Sequence, residues 1–585
     1  MTRVSLGLLA LMVSGPFLLP FHTEPIPSFW NEWWAGALGL GAAATGLFAA
    51  RDGLRLPPLL IVPALLLATL LLQFGLGRLV FPQIGLLYAV YLIWAGLLMV
   101  LGRHLGETIG LARLADVLAI AVTLGALIGA AVAFLQWMGV ADRVPWVFPH
   151  QEQGMQANLG QVNHHAHYCW LGIASAFYLR GRACLSRRSL WLRLRPIGFG
   201  SVLSGSRSVF LYAPVLFAII ALARHREPDG PAAKLMVDAL LLLPVIAAFN
   251  LFGAWASAHI TGFWAWFGIT VGTGGAAMPV ARLFAGVSGP SMRLAIISVA
   301  WTAFAEHPWL GQGAGNYIWA GFVAASSHAG DEALPVAEHA HNLVFQLLAE
   351  FGAPLAVAAI VLLALWLRRF FRQEWTPEHV WCASMLGIGA VHSLLEYPLW
   401  YSYFLGPAAL LLGATDNGKS IALAGRRVNV YLLLAAAVGA LILANLRADY
   451  SKIEAATYRP LAADPDRERA WRISVERLLT LHRESLLSPW VLMAFTNMSE
   501  PARDLARERA EMCERGIRFA PARSLVTRCA MQLAIAGRAA DAQKLTRDVL
   551  RAFPAERAAT ADELAKGAEK YPELVPLLQP GPGRP

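Results

Sequence analysis

Charged residues are scarce in this chain: Asp, Glu, Lys and Arg make up 15% of its 585 residues, against roughly 25% in a soluble globular protein. With 57% hydrophobic residues and a mean hydropathy of +0.51, an ordinary soluble enzyme is excluded and most of the apolar surface must face lipid. Cysteine is also rare, with five in the whole chain. There is no pair of cysteines at zinc-binding spacing and no His-Glu-x-x-His, so the common zinc signatures are missing. The GQGAG around Gly311 has no following Lys and no strand-to-helix setting, which argues against a phosphate-cradling loop and a nucleotide-driven pump.

What the chain does have is long apolar runs, each of about 17 to 22 residues, enough to cross ~30 Å of hydrocarbon as helix. About thirteen occur, near 5–21, 33–50, 57–75, 84–101, 115–137, 164–180, 191–206, 208–223, 235–253, 344–367, 378–395, 401–415 and 428–445. The run near 191–206 is interrupted at its start by Arg193, Arg195 and Pro196. The fold class expected is therefore all-α, a polytopic integral membrane protein. Arg3 precedes the first run without a small-residue cleavage site after it, so that run reads as a retained helix.

Orientation follows from the basic residues, which accumulate in loops kept in the cytoplasm. With the N-terminus inside, the inner loops collect Arg51, Arg55, Arg103, Arg113, Arg180, Arg182, Arg187, Arg188, Arg224, Arg226, Arg368, Arg369 and Arg372. The outer loops hold chiefly Arg78, Arg143, Arg282 and Arg293, with Arg207 at the outer end of a helix. The net charge of +10 reflects this topology in large part and does not argue for nucleic acid. Two regions are then exterior: a loop at about 254–343 and a tail at 448–585, leaving 1–447 as the membrane domain. The tail reads as amphipathic, Ala-rich soluble helix with a tetratricopeptide-like hairpin. Cys513 and Cys529 lie in it, at a spacing that allows either a disulfide or two buried thiols, and QPGPGRP reads as a disordered end.

Ionisable groups at a membrane mouth are expensive and ask for a reason. Arg207, in SGSRSVFLY, is either a helix-end Arg reaching for head groups or part of a phosphate site. Arg293, in SGPSMRLAIISVAW, is either a solvated helix charge or the second half of that site, because a pair of guanidinium forks can clamp a diphosphate. His341 stands before Asn342 and the run that follows, and imidazole titrates near neutral pH, which makes it the candidate base. His339 lies two residues away and is the alternative. His164 and His167 share a helix face but have no carboxylate or Cys partner nearby, so no metal is assigned. Trp255, Trp264, Trp266, Trp301, Trp309 and Trp319 dot the outer loop, and suit either the head-group layer or packing against the spans.

Taken in order, ANLGQVNHHAHY, SGSRS, the Arg293 helix leading to EHPWLGQGAGNY, HAHNLVFQLLAEFG and HSLLEYPLWYSYFLGP resemble the Wzy_C superfamily of O-antigen ligases and bacterial O-oligosaccharyltransferases. The resemblance covers about residues 150 to 415. Its Gln-x-Asn element (Gln161, Asn163) and its Glu-x-Pro-Leu-x-Tyr element (Glu396, Pro398, Leu399, Tyr401) look more like the PglL-type O-oligosaccharyltransferases than the lipopolysaccharide ligases, and the helical tail leans the same way. The resemblance implies a GT-C-like glycosyltransferase of the bacterial inner membrane, facing the periplasm and using neither metal nor cofactor. Its donor would be a glycan on undecaprenyl diphosphate, and its acceptor a Ser or Thr of a pilin-like protein. Arg207 and Arg293 would hold the diphosphate, His341 would take the acceptor proton, and Gln161, Asn163, Glu396 and Tyr401 would lie at the substrate site. Two alternatives stand beside this: a ligase whose acceptor is lipid A core, and a transporter of lipid-linked glycans, for which inverted repeats and midplane charges are expected. Alkaline phosphatase fused after Arg447 should be active and a fusion near Arg188 inactive, and the reverse pattern would overturn this topology.

Overall fold

The computed structural model describes residues 1–48, 53–149, 154–267, 290–328, 334–423, 426–457 and 466–579. Arg51, Arg282 and the terminal PGPGRP lie outside these residues. The fold is all-α. Among the described residues the extended structure consists of one short antiparallel ribbon, β1 (Leu54–Leu56) against β2 (Ile421–Leu423), with Arg55 opposite Ala422.

In chain order the helices are α1 (Thr2–Met12), α2 (Phe29–Leu47), α3 (Ile61–Gly75), α4 (Pro82–Thr108), α5 (Leu111–Trp137), α6 (Val162–Gly181), α7 (Arg187–Leu203), α8 (Val209–Arg226) and α9 (Pro231–Trp266). The described residues continue with α10 (Pro290–Glu306), α11 (Tyr317–Ser327), α12 (Leu343–Phe351), α13 (Ala353–Phe370), α14 (Pro377–Ser393), α15 (Ser402–Thr415) and α16 (Arg426–Thr457). The tail adds α17 (Arg467–Glu484), α18 (Ser488–Met498), α19 (Ala506–Phe519), α20 (Arg523–Ile535), α21 (Ala539–Ala552) and α22 (Arg557–Lys570).

The described residues of the apolar runs lie on helix over most of their length, as lipid demands, because only a helix satisfies its own backbone there. Among the described residues seven helical stretches are long and apolar enough to cross a membrane: Pro58–Gly75, Pro82–Thr108, Leu111–Trp137, Val209–Arg226, Pro231–Trp266, Ala353–Phe370 and Val430–Thr457. Two boundaries differ from expectation. The run at 235–253 continues to Trp266 within a helix of 36 residues, Pro231–Trp266, about 54 Å long at ~1.5 Å per residue. The run at 344–367 is broken at Gly352, whose φ of 82° ends α12 and starts α13 afresh.

The chain divides into two compact units. The first comprises residues 1–64, 91–287 and 360–443. Its centre is α5, α6 and α7, packed with α14, and α6 is buried along nearly its whole length. Where α4 passes α15 the backbones nearly touch: a Cβ at Gly102 would overlap the Leu410 carbonyl, and one at Gly413 the Met99 carbonyl. Close backbone approach through small residues is how helices gain contact where lipid offers no hydrophobic drive. The outward faces carry the apolar side chains, with Leu124, Ile128 and Leu251 exposed. On the irregular stretch before α6, Gln136 donates to the Phe148 and Ala157 carbonyls and accepts from the Ala157 N–H. Asn158 bonds Leu18, Trp146 and Phe148 in the same way.

The second unit comprises residues 65–90, 288–359 and 444–585. In it α10 packs on α12, and α11 packs on α21 of the tail, with Phe322 and Ala325 sharing one core with Val526, Val549 and Ala552. Cys513 of α19 and Cys529 of α20 form a disulfide inside that core. The tryptophans divide: Trp255, Trp266, Trp301 and Trp309 are exposed, whereas Trp264 donates to the Met138 carbonyl at 2.8 Å and Trp319 packs into the tail core.

Cys184 is exposed and Cys169 and Cys382 are buried. With the inner-loop assignment of residues 180–188, a membrane-impermeant maleimide should reach Cys184 only after the cells are permeabilised. Labelling of Cys184 in intact spheroplasts would contradict that assignment.

Candidate active site

In the first unit the SGSRS turn joins α7 to α8. Ser204 donates its hydroxyl to the Ser201 carbonyl at 2.6 Å and accepts the Ser206 N–H at 3.1 Å. Ser206 in turn accepts the Ser208 N–H at 3.3 Å and donates to Asn163 Oδ1 at 2.6 Å. The Asn163 amide then donates to Glu396 Oε1 at 2.9 Å. Glu396 and Ser206 are buried, and Arg207, the next residue in the turn, is half-buried. A fixed turn beside a cation is thus tied, through two neutral side chains, to a carboxylate 233 residues from Asn163.

The first turn of α6 is itself fixed. Gln161 is its N-cap and accepts the His164 N–H at 2.6 Å, satisfying one of the helix's unpaired donors. Tyr401 lies edge-on to the His164 ring at 4.7 Å between centroids and stacks with Tyr397 at 5.9 Å. The structure therefore brings Asn163 and Glu396 into contact with the Arg207 turn, and sets Gln161 and Tyr401 against the same end of α6. Sequence reading missed Ser206 as the link. A serine flanking an Arg in a short turn was the available signal.

The histidines of α6 are occupied in packing. His164 Nδ1 is 3.3 Å from the Tyr403 hydroxyl, and the His167 ring lies parallel to Phe404 at 4.6 Å. His392, which the sequence reading did not single out, joins them at 4.5 Å from His167. Among the described residues no group of three or more His, Cys, Asp or Glu side chains has the arrangement to hold a metal ion.

Arg293 and His341 belong to the second unit, on helices that pack together. Arg293 is half-buried in the first turn of α10. His341 is half-exposed in the turn before α12, with a backbone φ of 49°. Asn342 is the N-cap, accepting the Val344 and Phe345 N–H groups at 3.0 and 3.3 Å, which explains the His-Asn pairing in local terms. His339 is buried, and burial pushes its imidazole down to about 3, with His341 contributing less. A ring kept neutral and enclosed is poorly placed to take a proton from an incoming hydroxyl.

The glycine-rich segment between α10 and α11 forms a strap on the end of α12. Gln312 and Gly313 donate to the Ala349 and Glu350 carbonyls at 2.8 and 3.2 Å, and Ala353 donates to the Pro308 carbonyl at 2.8 Å. Side chains are excluded from both halves of this crossing, since a Cβ at Gly311 would overlap Glu350 and one at Gly352 would stand 2.5 Å from the Trp309 backbone. The buried Glu350 accepts the Gly315 N–H at 3.0 Å, and Gln73 donates to the Leu310 and Glu350 carbonyls at 2.7 Å each. Neither was singled out from the sequence.

Comparison with known proteins gives three matches. Residues 196–360 match a family model described as O-Antigen ligase, Wzy_C. Residues 380–566 match one described as Virulence factor membrane-bound polymerase, C-terminal. The chain is 26% identical over 504 residues to a General O-oligosaccharyltransferase from Acinetobacter baylyi, covering 84% of each chain. Fold and motifs define a polytopic glycosyltransferase-like membrane protein. Within that class, the chain is similar to the Wzy_C superfamily of O-antigen ligases and PglL-type O-oligosaccharyltransferases.

Breaking the relay should cost activity without dismantling the bundle. Asn163→Leu leaves Glu396 and Ser206 each short of a partner, a loss of about 1–3 kcal/mol. Glycan transfer should fall by at least ~10-fold while detergent-extracted yield stays near wild type. Wild-type transfer by this variant would separate the relay from function.

Proposed function

We propose that this protein is a protein O-oligosaccharyltransferase, transferring a glycan en bloc from undecaprenyl diphosphate to a Ser or Thr hydroxyl of a periplasmic protein such as a pilin. The observation that carries the reading is the bonded Ser206, Asn163 and Glu396 chain at the Arg207 turn. It unites the elements in which this chain resembles the PglL-type enzymes. The relative named as a general O-oligosaccharyltransferase, matched along 84% of its length, supports the same choice. The disulfide in the tail supports a tail in an oxidising compartment.

In this reading the acceptor oxygen attacks the anomeric carbon, the bond from that carbon to the diphosphate oxygen breaks, and configuration inverts. The electron pair leaves with the diphosphate. Arg207 and Arg293 hold that group and stabilise the charge it gains, which a fixed guanidinium does without reorganisation at the moment of reaction. His341 takes the hydroxyl proton. Its half-exposed position, against the enclosure of His339, favours it as the base. Lipid diphosphate is already a good leaving group, so orientation, two cations and one base suffice. The second reading, transfer of O-polysaccharide to lipid A core, draws on the O-Antigen ligase model that matches residues 196–360.

Purified protein given an undecaprenyl-diphosphate glycan, with pilin offered against lipid A core, decides between the two, and glycan on the lipid alone would favour the ligase. Arg207→Ala and Arg293→Ala should each abolish or severely reduce transfer, with Lys a poor substitute because it lacks the bidentate fork. His341→Ala should lower the rate by at least ~10²-fold, and His339→Ala far less. Transfer should continue in EDTA. A dead His339 variant beside an active His341 variant would move the base by two residues.

A further inference from the structure

His341 is one of few non-glycine residues among those described with a left-handed backbone, at φ 49°. Such a conformation is strained for a residue with a Cβ and persists only where its neighbours over-determine it. One residue makes bonds on either side of His341. Gln346, buried in the first turns of α12 at 2% exposure, accepts the N–H of the fully buried Ala340 on its Oε1 at 2.6 Å. The same residue's backbone N–H donates to the Asn342 carbonyl at 2.9 Å. Gln346 therefore grips the chain immediately before and immediately after His341, and Asn342 is further fixed by capping the helix to which Gln346 belongs.

We propose that Gln346 is a positioning residue for His341: its buried side-chain carbonyl fixes the residue before the histidine, and so holds the imidazole in the one backbone conformation that presents it, half-exposed, beside the start of α12. The catalytic part of this inference rests on His341 being the base. Gln346 itself touches neither substrate nor reacting atoms. An apolar residue there would pack as well within α12, but would leave the Ala340 N–H buried without its acceptor and the turn free to relax to an ordinary backbone.

The test is a double-mutant cycle on the purified full-length protein, with an undecaprenyl-diphosphate oligosaccharide as donor and pilin as acceptor. Gln346→Met keeps length and volume but removes the acceptor. It should lower kcat by ~10-fold with the donor KM within about twofold, because a displaced base slows the chemical step and leaves diphosphate binding alone. In the His341→Ala background the same change should have no further effect, since a residue that acts through His341 has nothing left to position. Gln346→Asn, which keeps the amide but withdraws it by one methylene, should behave as Met does. Hydrogen exchange read by mass spectrometry gives a second measure. In Gln346→Met the peptide containing Ala340 should lose protection, while peptides around Cys529 keep theirs and so report an intact fold. An equal loss of activity in both backgrounds, or an unchanged exchange rate at Ala340, would overturn the positioning role. Full activity in His341→Ala would overturn the base assignment instead, and the exchange result would still show whether Gln346 holds the turn.

Discussion

The second unit depends on a crossing of two backbones at which no side chain fits. Where the Gly311 strap meets the end of α12, three inter-segment hydrogen bonds, from Gln312, Gly313 and Ala353, replace the contacts that side chains make elsewhere. Gly311 and Gly352 are present because a Cβ at either position would strike main-chain atoms. The crossing fixes α12 relative to α10, and hence the turn carrying His341 relative to the helix carrying Arg293. Glu350 and Gln73 complete it by accepting and donating to backbone groups that would otherwise be buried and unpaired.

The first unit solves a related problem with side chains. A turn of five residues between two apolar helices carries several donors that no helix satisfies, and lipid supplies no water to meet them. Ser204 and Ser206 take up the local donors, and Asn163 carries the connection on to Glu396. Because Ser206 and Asn163 are neutral, the carboxylate is kept one residue pair away from the turn.

Helices were legible in the sequence wherever apolar residues ran uninterrupted, and the described part of each such run is mostly helical. Their limits were less so. Gly352 stands in an apolar run that reads as continuous, and only the close approach of Trp309 makes a break there necessary. The extension of α9 to Trp266 was hidden because Trp255 and Trp264 look equally at home in a surface loop. The candidate residues carried by motifs, Gln161, Asn163, Arg207, Arg293, His341, Glu396 and Tyr401, stood out as short patterns, but the bond between Asn163 and Glu396 did not, since no local pattern reports a contact across 233 residues. Ser206, Gln73 and Gln346 escaped for another reason. Gln73 and Gln346 bond main-chain atoms of distant or irregular segments, and Ser206 bonds a side chain of α6, and a single sequence gives such contacts no marker.

The composition of the second unit has a bearing on how the protein is made. Its residues come from three separated stretches, 65–90, 288–359 and 444–585, and its largest core joins Phe322 and Ala325 to Val549 and Ala552. At ~5–20 residues per second, roughly 10 to 45 s pass between synthesis of the first pair and the second. For that interval α11 is complete while its partner helix does not yet exist, and its apolar face must be sheltered by the membrane surface or by a chaperone. A ribosome that stops short of α21 releases a chain whose transmembrane helices can all be in place and whose unit bearing His341 still lacks part of its core.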